Sequence, residues 1–199
     1  MSDNQKVDRT RRNLVVATSV AGGAASIGAA LPFVASMMPS ERAKAAGAPI
    51  EVDISGIAPG ELKVFEWRGK PVWVIRRTKE MLESLKGVTA RLTDPESRAS
   101  KQPPYAKNEA RAQNPEWMVM EGVCTHLGCS PQLKSADAKA EMGGDWAGGF
   151  YCPCHGSKFD YAGRVFRGAP APTNLEVPAY TFVSDNTLLI GEDPEKKGA

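Results

Sequence analysis

The residues able to do chemistry lie in two short segments, CTHLGC at 124–129 and CPCHGS at 152–157. Together they hold all four cysteines of the chain (Cys124, Cys129, Cys152, Cys154) and both histidines, His126 and His155. Two histidines scattered as ordinary surface or core residues would not both fall beside cysteine pairs, so the clustering marks a metal site. C-x-H at 124–126 and C-x-x-H at 152–155 supply two thiolates and two imidazoles, a donor set that zinc and iron–sulfur centres both use. Each spacing is short enough for one tight loop to aim two side chains at one centre. Cys129 and Cys154 are two more thiols, one in each loop. On the exported side of a membrane such a pair is expected to form a disulfide, whereas a fully reduced set would point to a cytosolic zinc or thiol-redox module.

The N-terminus bears on that choice. Lys6, Arg9, Arg11 and Arg12 precede a run from Asn13 to Ser40 that carries no charge. About 20 residues at about 1.5 Å each cross a hydrocarbon core of about 30 Å. The run is therefore read as a membrane helix over 13–38, with a basic leader at 1–12. Basic residues before the span put the N-terminus in the cytoplasm and the remainder across the membrane. TRRNLVV at 10–16 is similar to a twin-arginine export signal, which suits a domain that crosses already folded around its cofactor. Ala43-Lys44-Ala45 offers a cleavage site, but the uncharged run is about twice the usual 7–15-residue signal core, so retention of the anchor is expected.

Residues 39–49, rich in Ala and Gly, read as a flexible hinge linker, and 50–199 as one domain. Gly (19) and Pro (15) make up about a sixth of the chain, a balance that suits a loop-rich β domain. Strands are expected at 50–54, in a hairpin of 62–67 and 72–76 turning at 68–70, and at 117–123, which delivers the first motif. A short helix is expected at 78–86, capped by Thr78 and stopped by Gly87. Residues 91–115 read as a polar surface excursion, and 130–149 as an irregular stretch. A hairpin at 158–167 turns at 162–163 and a last one joins 175–182 to 187–190, followed by a charged tail. The lysines and arginines of 61–111 read as solvated surface, and the four tryptophans as core or rim residues. The net charge of +2 gives no field that would favour nucleic acid. The Gly143-Gly144 and Gly148-Gly149 pairs read as turns, since no helix start follows to cradle a phosphate. With both histidines committed to the two cysteine motifs as metal ligands, no nucleophile–base pair for hydrolysis is left.

CTHLGC and CPCHGS resemble the two cluster-binding loops of Rieske proteins, of the subtype with an inter-loop disulfide. Basic leader, single anchor, linker, β domain and the GAPAP segment at 168–172 are similar to the iron–sulfur subunit of the cytochrome bc complex, proteobacterial type. The resemblance implies a mainly β fold: a Rieske-type antiparallel β-sandwich with a small cluster-binding subdomain at about 120–172, behind one N-terminal transmembrane helix. It implies one [2Fe–2S] cluster, with Cys124 and Cys152 on the buried iron and His126 and His155 on the outer one. Cys129 and Cys154 become the disulfide. Imidazole ligation raises the potential to about −150 to +300 mV, against about −400 mV for all-cysteine plant-type clusters. The imidazoles can also gain protons on reduction, which couples electron to proton uptake.

By the same resemblance His155 accepts a hydrogen bond from a quinol hydroxyl, and the Ser157 hydroxyl donates to the cluster. Leu127 and Pro170, with the loop around it, wall the site against water. Phe159 stands where many relatives carry a tyrosine that reaches a ligand sulfur, so a lower potential is expected here. Tyr161 is out of register for that role. Expected partners are cytochrome b, a membrane-anchored c-type cytochrome, ubiquinol and membrane lipid, in a dimeric complex at the bacterial inner membrane with the Rieske domain periplasmic. The small Rieske subunit of an arsenite-oxidase-type enzyme shares the leader and loop type, but the anchor, linker and GAPAP segment fit it less well. A structural zinc module and an oxygenase ferredoxin fit less well still.

Overall fold

The computed structural model describes residues 8–40, 43, 45 and 47–193, in two units that divide after Ala45. The first half of the leader, much of the expected hinge and most of the charged tail therefore lie outside the described residues. In the first unit, α1 (Arg9–Ser36) is a single 28-residue helix. It starts four residues before the expected boundary, because the Asp8 carboxylate accepts from the N–H groups of Thr10 and Arg11 and caps it there. At about 1.5 Å per residue it is about 42 Å long, more than a bilayer core requires. The hydroxyls of Thr18, Ser26 and Ser36 donate to the carbonyls of Leu14, Gly22 and Phe33. These three hydroxyls thus find partners within the helix, as a hydrocarbon medium would demand.

The second unit is built from three antiparallel sheets of three strands each, which agrees with the mainly β expectation. One sheet joins β1 (Ile50–Asp53), β9 (Thr187–Ile190) and β8 (Tyr180–Ser184) in that order. The second joins β2 (Leu62–Trp67), β3 (Lys70–Arg76) and β4 (Trp117–Glu121). The third, β5 (Gln132–Lys134), β6 (Gly149–Tyr151) and β7 (Lys158–Phe159), carries the second motif between its last two strands. Trp73 of β3 stacks on Phe150 of β6 with ring centres 5.0 Å apart, which fastens the third sheet to the second. All four tryptophans are buried.

Several boundaries differ from those expected, each for a local reason. Arg68 and Gly69 both have positive φ, 53° and 69°, so the first hairpin closes on two residues and Lys70 begins β3. α2 (Lys79–Val88) has the expected Thr78 cap, whose hydroxyl accepts from Met81 N–H. It runs through Gly87 because Leu85 and Val88 are both buried, and that packing outweighs the roughly 1 kcal/mol that glycine costs a helix. The 130–149 stretch contains β5 and the short helix α3 (Lys139–Met142). The last hairpin begins at Tyr180, since Leu175 and Val177 give their N–H groups to Gly163 and Lys101 instead of a strand.

The largest correction concerns 91–115, which is not a surface excursion. Leu92, Ala106, Arg111 and Ala112 are at most 1 % exposed. The segment is polar in sequence yet buried in part, because its polar groups bond to backbone elsewhere in the domain. Arg77 is buried as well, so the basic residues of 61–111 are not uniformly solvated.

Two glycines are required by close approaches. A Cβ at Gly122 would lie 2.2 Å from the Trp73 ring, just where β4 hands over to the first motif. At Gly149 (φ 140°) it would lie 2.0 Å from the Phe159 carbonyl oxygen. Gly149→Ala is expected to lower stability by at least about 2 kcal/mol, from backbone strain and a clash between β6 and β7 that only chain movement relieves. Urea denaturation of the wild-type and variant chains checks this, and an unchanged midpoint refutes it.

Candidate metal centre

The two motif segments fold into loops of one design. In the first, Cys124 N–H donates to Cys129 O and Gly128 N–H donates back to Cys124 O, at 2.8 and 3.0 Å. In the second, Cys152 N–H donates to Ser157 O and Gly156 N–H to Cys152 O, at 2.8 and 2.9 Å. Gly128 and Gly156 each adopt positive φ, 83° and 80°, which lets each loop return on itself within five residues. The glycines of both motifs are therefore backbone requirements of the loop.

The loops converge. The His126 and His155 rings lie 4.7 Å apart and perpendicular. Cys124 and Cys152 are buried free thiols, and their sulfurs interact with each other. Cys129 and Cys154 are joined as a disulfide across the two loops, as expected. The sulfurs of Cys129, Cys152 and Cys154 all lie within 4.8 Å of one another. That triplet is no ligand set of its own, since the disulfide occupies two of its three sulfurs. What remains is two interior thiols and two imidazoles nearer the surface, His126 half-buried and His155 exposed.

Burial pushes the Cys124 thiol above its ordinary range, and the adjoining Cys152 sulfur adds to this. The backbone at His126 and the Ser157 hydroxyl act in the opposite sense. A metal centre must displace protons from both thiols, and it supplies the positive charge that offsets their burial. Ser157 is fully buried; its oxygen accepts from Ala171 N–H at 3.0 Å, and its hydroxyl bonds to Cys124. Two soft interior donors, two imidazoles beside them and a hydroxyl directed at a thiol fit a [2Fe–2S] group of mixed ligation.

Other residues named from the sequence fall as follows. Phe159 is fully buried and pairs with Phe150 across β6 and β7. Leu127 is 70 % exposed and presents apolar surface outward beside His126. In the loop expected to wall the site Pro170 is exposed, and Ala171 is the buried member. The Tyr161 side chain bonds to the backbone at Ala136 and packs over Gly148. One contact was not legible beforehand: the Thr125 hydroxyl donates to Thr173 O at 2.7 Å, tying the first loop to the proline segment. A hydroxyl between two expected ligands was its only signal.

Residues 106–181, which include both loops, match the family model described as "Rieske [2Fe-2S] domain", so the second unit contains a Rieske domain. Residues 1–40 match a second model, described as "Ubiquitinol-cytochrome C reductase Fe-S subunit TAT signal". The ubiquinol-cytochrome c reductase iron-sulfur subunit of Allochromatium vinosum is 53% identical over 190 residues, covering 95% of this chain and 92% of its own length. The protein of the same name from Bradyrhizobium diazoefficiens is 44% identical over 92% of this chain and 94% of its own. The mitochondrial cytochrome b-c1 complex subunit Rieske-3 of Nicotiana tabacum is 45% identical over 81% of this chain and 53% of its own. The chain belongs to the family of ubiquinol–cytochrome c reductase iron–sulfur subunits.

Proposed function

We propose that this chain carries electrons from ubiquinol toward a membrane-anchored c-type cytochrome, as a subunit of a proton-translocating quinol–cytochrome c oxidoreductase. The observation that supports it most is the graded burial at the centre: thiols inside, imidazoles toward the surface. Cys124 and Cys152 hold the inner iron and His126 and His155 the outer one, while the disulfide keeps the loops in register. The cluster supplies a one-electron carrier whose potential is raised by imidazole ligation. His155, as the exposed ligand, offers a ring nitrogen to the quinol hydroxyl and takes its proton, with His126 as the second imidazole of the pair. Leu127 and the loop at Pro170 flank the centre and limit water on that side.

α1 anchors the chain in the inner membrane with its N-terminus cytoplasmic and the Rieske domain periplasmic. The hinge at 39–49 lets the domain visit cytochrome b at the quinol site and then the c-type cytochrome, within a dimeric complex. Extraction in mild detergent, followed by reduced-minus-oxidised haem spectra of what co-purifies, tests the assignment. Haems of b and c type together with quinol-dependent reduction of cytochrome c are expected. A molybdenum subunit without haem would replace it with an arsenite-oxidase-type enzyme, and zinc without labile sulfide would remove the redox role.

Phe159→Tyr is expected to raise the midpoint potential of the cluster, because a phenolic hydroxyl at this buried position can donate to a ligand sulfur and favour the reduced state. Redox titration of the two proteins reads the shift. An unchanged or lower value rejects the assignment of that position.

A further inference from the structure

Among the described residues, two arginines are buried in the second unit without a carboxylate bonded to them. Arg77 follows β3 and is 2 % exposed; Arg111 is 0 % exposed. Arg77 donates from Nε to Pro115 O and from Nη1 to the carbonyls of Ala110 and Tyr161. Arg111 donates from Nη1 to Ala162 O, and from Nη2 to Leu175 O at 2.7 Å and Gln102 Oε1 at 2.9 Å. Every one of these acceptors is a neutral oxygen. Arg77 Nη2 and Arg111 Nε, both buried, have no partner among the described residues. A third buried arginine, Arg164, pairs with buried Asp160 at 2.7 Å. Glu121, 8 % exposed, is taken by Lys70 at 2.6 Å.

Among the described buried groups, then, three guanidinium groups stand against Asp160; half-buried Asp94 also acts on Arg111 but bonds to Arg98, Ala99 and Ser100 instead, so positive charge is in excess. Burial pushes Arg77 and Arg111 down only to about 10, so both are charged at neutral pH. Burial also pushes the Asp160 carboxyl up, against Arg164; a proton there would only increase the positive excess. Burying an unpaired cation costs several kcal/mol. Neutral donors could satisfy the same carbonyls without that cost. Arg111 bears a further cost, since its φ of 50° is unusual for a residue other than glycine.

The acceptors show where the charge sits. Tyr161, Ala162 and Gly163 form the turn directly after β7, which leaves the second cluster loop at Ser157. Leu175 closes the segment whose Ala171 N–H holds the Ser157 oxygen. The two cations therefore lie against the hairpin and the strap that support the second loop, in a dry interior where charges are weakly screened. Reduction adds one negative charge to the centre, and fixed positive charge in the same domain favours that form.

We propose that Arg77 and Arg111 are potential-setting residues, whose buried positive charge, in excess over the carboxylates that act on it, raises the reduction potential of the cluster held by the two loops. This rests on the reading of those loops as the cluster site. The test is redox titration of the full-length chain in its membrane complex, followed by the spectrum of the reduced cluster. Arg77→Met and Arg111→Met should each lower the midpoint potential, and the double variant should lower it further. Arg77→Lys and Arg111→Lys, which keep the charge, should recover most of the shift. Asp160→Asn removes the one buried counter-charge while keeping an acceptor for the N–H groups of Ala162 and Arg164, and should raise the potential.

Methionine variants that titrate like the wild type overturn the proposal, as do lysine variants that fall as far as the methionine ones. If the methionine variants do not accumulate, Asp160→Asn decides: a raised potential supports the proposal and an unchanged or lowered one overturns it. A wild-type protein that holds zinc and no labile sulfide fails the underlying reading instead, before any variant is compared.

Discussion

His155→Gln is expected to leave a chain that folds and reaches the membrane but holds no iron–sulfur cluster. Iron should fall from about two atoms per chain to near zero, and the visible absorption of the cluster should vanish with it. His126→Gln should do the same. The reason is geometric and electronic together. The loops bring two imidazoles to within 4.7 Å of one another beside two buried thiols, and no other histidine exists in the chain to replace either. The hydrophobic core does not depend on the rings, because β3, β4 and the Trp73–Phe150 stack are buried independently of them. Far-ultraviolet circular dichroism should therefore stay close to wild type. Iron content and labile sulfide per chain are the measurements that decide. A His155→Gln protein with its full complement of iron would show that this ring is no ligand.

The second large effect is expected from removing the disulfide. Cys129 and Cys154 are 25 residues apart, so the loop they close is long for a small subdomain. Chain entropy alone gives the crosslink about 3.5 kcal/mol, a sizeable part of the roughly 5–15 kcal/mol that holds a domain folded. The third sheet has few other ties: its strands have only three, three and two residues. In the Cys129→Ser, Cys154→Ser double variant the two loops should separate, and the centre should be lost faster on warming. The denaturant midpoint and the rate of cluster bleaching read these two effects separately. A double variant with wild-type midpoint and bleaching rate would show that core packing alone holds the loops together. The single variants are less informative, because each leaves an unpaired thiol beside Cys152.

Both effects were legible in part from the sequence, and the difference is instructive. The donor types were fixed by spacing: C-x-H and C-x-x-H are local patterns, and a tight loop with glycine two residues past the first histidine, and one past the second, leaves little freedom in where the side chains point. The membrane-length helix was legible for the same reason, since an uncharged run needs only its length to declare itself. Its start moved from 13 to 9 because a single side chain, Asp8, satisfies the first free N–H groups.

The errors lie where the partner of a polar group is far away in the chain. Arg111 looks like surface in sequence because, of the acceptors it uses, only Gln102 is near; Ala162 and Leu175 are 51 and 64 residues distant. Asn174 likewise joins Val165 N–H to the Asp94 carbonyl and the Ser97 hydroxyl, 80 and 77 residues back for the last two. Hydropathy records the cost of burying such groups but not the bonds that offset it. For that reason the 91–115 segment looks like a surface excursion in sequence. Gly87 misled in the opposite direction, because a local stop signal was overruled by two buried neighbours.

By itself, then, the sequence determined the chemistry of the centre: which atoms can bind metal, which compartment permits the disulfide, and that the chain carries a membrane-length helix. Those follow from residue type and short spacing, which the backbone transmits directly. Only the tertiary structure decided which thiols are interior, which imidazole is exposed, and where the buried positive charge lies. Burial and long-range pairing are properties of the packed domain, set by sheets whose strands are far apart in the chain. The donors can be read from six residues, whereas their environment is set by side chains drawn from the whole fold.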